Sequence, residues 1–218
     1  MKIHASRRTL QCSGPSRAGF TLLELLAVMV ILGILMTFLA FRLGGLGEAA
    51  NYNVTEQFLN QISLAANSYE AETGNYPKSS WDSSWGATPN KTNLGGEILC
   101  VQLWGKEFGG TGISDDQLRN SDQDEAKKDI TTHGNNSLFE LIDAWENPIA
   151  YFHRQDYGRE DSYMTLDDTG EWDVSVVKAL KNPKTNNYYN PRGFQLISAG
   201  EDGIFGTLDD IHNFRIAE

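Results

Sequence analysis

The chain has 218 residues, 40% hydrophobic and 11% aromatic, with 18 basic and 29 acidic residues for a net charge of −11. That length allows one ordinary domain with an appendage and enough apolar material for a modest core. So acidic a chain repels phosphate backbones, which excludes a general nucleic-acid binder, and two cysteines, Cys12 and Cys100, exclude a disulfide scaffold. The mean hydropathy of −0.40 hides an uneven distribution, because the apolar residues concentrate near the N-terminus.

Residues 1–19 carry Lys2, Arg7, Arg8 and Arg17 and no acidic residue, and residues 25–41 are 17 consecutive uncharged positions. At 1.5 Å per residue that run is roughly 25 Å long, near the lower limit for crossing a bilayer. The flanking positive charges belong on the cytoplasmic side, which puts everything after Arg42 on the far side. No small-residue cleavage site follows the run, as a secretory signal would require. Ser6-Arg7-Arg8 lies too far upstream for a twin-arginine signal. Glu24 sits inside the apolar block. A carboxylate in lipid costs several kcal/mol without a partner, so it marks a functional position by default, or else a membrane edge where it reaches headgroup water.

Further along, Val54, Phe58, Ile62, Ala65 or Ala66, and Tyr69 recur at steps of three and four, one stripe of an amphipathic helix stopped by Gly74 before Tyr76-Pro77. Together the two stretches predict one helix of about 50 residues, with any melting placed at the glycines of residues 44–47. Residues 78–136 are rich in Ser, Asn, Gly and Asp, with a short apolar island at 94–104 and a charged, aperiodic stretch at 114–132 that reads as an exposed loop. Ser137-Leu138-Phe139-Glu140 has the form of a capping box and predicts a short helix with Leu138, Leu141 and Ile142 inward. Asn147-Pro148 then ends that helix in a turn. Residues 149–152, 162–166, 193–198 and 211–216 are strand candidates. Long helices followed by short strands predict an α+β head with a small antiparallel sheet.

The segment Ser198-Ala199-Gly200-Glu201-Asp202-Gly203-Ile204-Phe205-Gly206-Thr207-Leu208-Asp209-Asp210-Ile211 combines three glycines with four carboxylates. Hard oxygen donors at this density suit Ca²⁺, although the order is not that of an EF-hand, and a polar turn between two strands is the alternative. His133, His153 and His212 belong to no catalytic or metal-binding pattern, and no phosphate-binding glycine loop leads into a helix. The chain reads as a non-enzyme. Cys100, within Ile98-Leu99-Cys100-Val101, reads as a small buried hydrophobe.

The string Arg17-Ala18-Gly19-Phe20-Thr21-Leu22-Leu23-Glu24 resembles the class III signal of type IV prepilins and type II secretion pseudopilins. The resemblance implies cutting by a prepilin peptidase between Gly19 and Phe20, methylation of the new amine, and a pairing of Glu24 with the amine of a neighbouring subunit. The mature chain then has 199 residues and a net charge of −15, with Cys100 its single thiol. The C-terminal loop is similar to the calcium loop of the major, G-type pseudopilin. By that resemblance Asp202, Thr207, Asp209 and Asp210 supply side-chain ligands to Ca²⁺ and Ala199 a backbone carbonyl; Glu201 stands where the family has proline. Thr73-Gly74-Asn75-Tyr76-Pro77 and Asp143-Ala144-Trp145-Glu146-Asn147-Pro148 resemble the same subunit, the family more often having Pro and Gly in place of Ala144 and Glu146. The likeness covers residues 17–77, 138–152 and 194–214.

The expected organisation is a leader (1–19), a transmembrane assembly helix (20–43), its amphipathic continuation (44–77), a polar insertion (78–136), and a head of short helix, β-sheet and calcium loop (137–218). The family implies a pilin-like α+β subunit of a homo-oligomeric helical filament. It would be anchored once in the inner membrane with its head in the periplasm, and would engage the peptidase, other pseudopilins and the inner-membrane assembly platform. The implied role is a type II secretion pseudopilus exporting folded proteins, powered by a separate ATPase. The alternative is a type IV pilus subunit for adhesion, motility or DNA uptake.

Overall fold

The computed structural model describes residues 21–216 apart from 87, 107, 109–112 and 168, with the side chains of 38–46 also undescribed. It is α+β, with helices on small antiparallel sheets, the class the sequence predicts. The chain divides into two compact units, the first ending at Gly45 and the second beginning at Leu46.

Helix α1 covers Leu22–Thr73, 52 residues, so the segment 44–47 is helical rather than melted. In the first unit the described side chains of 22–37 are exposed, including Leu22, Leu23, Leu25 and Val28, which point to different sides of the helix. Among the described residues no helix is long and apolar enough to cross a membrane. Part of the run expected to do so, residues 38–41, has no described side chains.

In the second unit α1 turns one stripe inward: Thr55, Phe58, Leu59, Ile62 and Ala66 are buried, at the 3-4 spacing that keeps residues on one helical face. Thr55 rather than Val54 opens the stripe; Val54 is exposed, and the Thr55 hydroxyl oxygen accepts the N–H of Ala144 (3.1 Å). Gly74, at φ +80°, ends the helix in the left-handed conformation a C-terminal glycine permits.

Helix α2, Leu94–Trp104, forms from the apolar island, and Gly95 to Trp104 are all buried. Gly95 is required by close approach, since a Cβ there would lie 2.6 Å from both the Tyr151 carbonyl oxygen and the Tyr163 hydroxyl. Strands β1 (Leu118–Arg119) and β2 (Glu140–Leu141) pair antiparallel. They overturn the helix expected from residue 137 onward. Ser137 bridges Glu125, and the Glu140 carboxylate is drawn to Asn93 and Ser121 instead of closing a capping box. Leu138, Leu141 and Ile142 are nevertheless buried as expected.

Strands β3 (Ala150–His153), β6 (Phe194–Ser198) and β7 (Ile211–His212) form an antiparallel sheet in the order β3-β6-β7, with Tyr151 opposite Leu196 and Ser198 opposite Ile211. Every residue of β3 and β6 is buried because both faces are covered. Tyr151, Phe194 and Leu196 meet α1 and α2, whereas Ala150, Phe152 and Ile197 meet the hairpin of β4 (Glu160–Leu166) and β5 (Trp172–Lys178). The alternation follows the two-residue period of a strand. The sequence reading contains no strand at β5, and it extends β7 further than the two residues that pair.

Candidate functional site

The C-terminal loop joins β6 to β7 and is shaped by three left-handed glycines, Gly200, Gly203 and Gly206. Gly200 has no room for a side chain: a Cβ would stand 2.5 Å from the Asp209 carbonyl oxygen and 2.6 Å from its Oδ2. Gly203 is tighter, 2.1 Å from the Leu166 carbonyl oxygen, so the loop is pressed against the end of β4. The aspartates point into these turns. Asp209 Oδ2 accepts the N–H of Asp202 (3.0 Å), Asp202 Oδ1 that of Ile204 (2.8 Å) and Asp210 Oδ2 that of Gly206 (2.8 Å). The Thr207 hydroxyl donates to Asp209 Oδ1, and Asp210 Oδ1 is buried with no partner. Ala199 is fully buried at the end of β6.

The electrostatics of the pair Asp209–Asp210 differ. Burial pushes the Asp210 carboxyl up to about 6, helped by the charges of Asp209 and Asp202 and opposed by the N–H groups of Gly206 and Thr207. Burial is also the largest influence on Asp209, but the Thr207 hydroxyl and neighbouring N–H groups outweigh it and hold that carboxyl below its ordinary value. Every donor the sequence nominated is a hard oxygen, and the carboxylates now occupied by N–H and O–H donors are the groups a cation would compete for.

The turn 143–147 braces this loop from inside. Asp143 Oδ1 accepts the N–H groups of Trp145 and Asn147 (both 2.9 Å), and its Oδ2 takes the Ser198 hydroxyl (2.6 Å) at the start of the loop. Asn147 Oδ1 accepts the N–H of Leu166 (2.6 Å), fixing the strand end against which Gly203 packs. Glu146 is left-handed (φ +70°), a conformation that glycine adopts without cost, and it pairs with Arg119. The sequence marks a helix-ending turn and a family-like string here, but the long-range partners Ser198 and Leu166 carry no local signal.

At the start of α1, Glu24 forms a reciprocal cap with Thr21. Its Oε2 accepts the Thr21 N–H (2.9 Å) and hydroxyl (3.0 Å), while the Thr21 hydroxyl oxygen accepts the Glu24 N–H (3.2 Å). Both residues are exposed. The processing pair Gly19 and Phe20 lies outside the described residues.

Among the described residues, the carboxylates that converge most closely are not those of the loop but Glu97, Asp122 and Asp124, each offering an oxygen within 4.8 Å of the others. The sequence reading did not single them out, although a glutamate inside the apolar island 94–104 is the signal that could have found them.

Residues 14–40 match the prokaryotic N-terminal methylation motif, the signal of type IV pilins and pseudopilins, so the chain is pilin-like at its N-terminus. No curated protein and no solved structure matches the chain.

Proposed function

We propose that the chain is a structural subunit of a type II secretion pseudopilus, cut by prepilin peptidase after Gly19 and methylated on Phe20. Residues 20–43 would first hold it in the inner membrane and then bundle in the filament core, with the head on the periplasmic side. Exposed apolar side chains on several sides of α1 between residues 22 and 36 support this, since such a helix buries itself only in lipid or among other helices. Glu24, capped on its own Thr21 in the single subunit, would exchange that partner for the amine of a neighbour. The motion that exports folded proteins would come from adding and removing subunits, with the energy supplied by a separate ATPase.

The observation that carries the choice of a secretion filament is the C-terminal loop, with three left-handed glycines and four oxygen-bearing side chains turned inward. Asp202, Thr207, Asp209, Asp210 and the Ala199 carbonyl would hold Ca²⁺ there, and the partnerless, buried Asp210 Oδ1 fits a group awaiting a cation. The ion would offset carboxylate repulsion and brace the loop onto β4.

The test compares a strain lacking the chain with one carrying Gly19→Trp. Loss of specific secreted proteins from the medium in both, with uncut precursor in the second and surface fibres unchanged, is expected. Intact secretion with missing fibres would move the assignment to a type IV pilus.

A further inference from the structure

We infer that Glu97, Asp122 and Asp124 form a second binding site for a hard divalent cation of the Ca²⁺ class, sharing no residue with the C-terminal loop. Three separate segments build it. Glu97 lies in the first turn of α2, Asp122 and Asp124 lie in the loop between β1 and β2, and the charge of Glu140, on β2, acts on Glu97.

Glu97 is completely buried, and neither of its oxygens has a hydrogen-bond partner outside the group, Asp124 being the one side chain it reaches. Both oxygens of Asp124, Oδ1 of Asp122 and Oε2 of Glu140 are likewise buried and partnerless. That makes six open carboxylate oxygens, and Ca²⁺ takes six to eight at roughly 2.3–2.6 Å. The spacing agrees, since ligand atoms on opposite sides of such an ion stand about 4.8 Å apart, and one oxygen from each of the three central residues lies within 4.8 Å of the other two. None of the ion pairs among the described residues involves these four acids.

The remaining oxygens of Asp122 and Glu140 are held by neutral donors. Asp122 Oδ2 accepts from Asn90 Nδ2 (2.8 Å). Glu140 Oε1 accepts from Asn93 Nδ2 (2.7 Å), from the Ser121 N–H (2.8 Å) and from the Ser121 hydroxyl. Asn120 clasps the backbone of Asp124 from both ends, its Nδ2 donating to the Asp124 carbonyl (2.8 Å) and its Oδ1 accepting the Asp124 N–H (3.1 Å). A buried carboxylate without a partner costs several kcal/mol, and a converging set costs more, so the group holds either protons or a cation. With oxygen donors alone and no His or Cys, the site selects a hard ion; four carboxylates around an irregular cage favour Ca²⁺ over the strictly octahedral Mg²⁺.

The test uses the full-length chain in detergent, stripped with chelator and titrated with CaCl₂ while heat release and thermal unfolding are followed. A variant with Asp202→Ala and Asp209→Ala, which removes the loop site, should still bind one Ca²⁺ and still melt at a higher temperature with the ion than without it. Adding Glu97→Gln, or separately Asp124→Asn should the first variant fold poorly, should erase both responses. Glu97→Gln alone should leave the loop's Ca²⁺ response in place. If the loop-less variant ignores Ca²⁺, protons alone neutralise the cluster and the inference falls; it falls equally if Glu97→Gln and Asp124→Asn leave binding in that background unchanged. Loss of the loop response with this one retained would count against the loop site only.

Discussion

Asp143 is 5% exposed yet accepts three hydrogen bonds, and burial pushes its carboxyl up to about 6 despite them. Its folded value lies above its unfolded one, so the unfolded chain loses the proton first as pH rises. Stability from this group is intact below about pH 4, declines between about 4 and 6, and stays reduced above that. Asp143→Asn keeps an acceptor for Trp145 and Asn147 and offers an amide to Ser198. It should flatten the decline by about 2 kcal/mol, read from urea unfolding at pH 4 and pH 7. Glycines of one loop should likewise separate by environment. Gly206→Ala meets open space and should cost about 1 kcal/mol for its left-handed backbone alone. Gly203→Ala drives a methyl into the Leu166 carbonyl and should cost at least about twice that, measured by thermal unfolding. The residues quoted from the sequence were legible as turn formers. That Asp143 clamps Ser198 was not, because 55 positions separate them.

At the scale of elements, the sequence reads best where one face alone is buried. The second half of α1 shows its stripe because its opposite side is wet, and Leu59→Ala should cost about 3 kcal/mol against almost nothing for the exposed Leu64→Ala, both read by urea unfolding. Helix α2 has no such contrast: buried on all sides, it shows no period, and an apolar run of that length is ambiguous between helix and strand. Strand β5 escapes for the opposite reason, since its apolar residues Trp172, Val174 and Val176 are exposed and only Val177 is buried. The false helix at 137 arose from a true local signal overruled by distant partners, with Glu140 satisfying Asn93 and Ser121. What the periodicity describes is the contrast between two faces, and it fails wherever that contrast vanishes or reverses.

At the scale of the molecule, the methylation motif and the acidic loop were legible because each is contiguous, whereas the cluster of Glu97, Asp122 and Asp124 exists only once α2 and the β1–β2 loop are folded together. Glu24→Val should leave cutting after Gly19 intact while filaments become scarce, as counted by electron microscopy after shearing. The reason lies in how the described apolar half of α1 is decorated. Thr37 hides its hydroxyl on the Gly33 carbonyl (2.8 Å), and the other exposed side chains between residues 22 and 36 are hydrocarbon or thioether, except Glu24. A greasy rod of that kind turns about its axis or slides along a neighbour with little change in energy. Glu24 is then the only mark on the rod, fixing both azimuth and axial offset, so its loss should leave packing attractive but unindexed: aggregates of the right composition without a repeat.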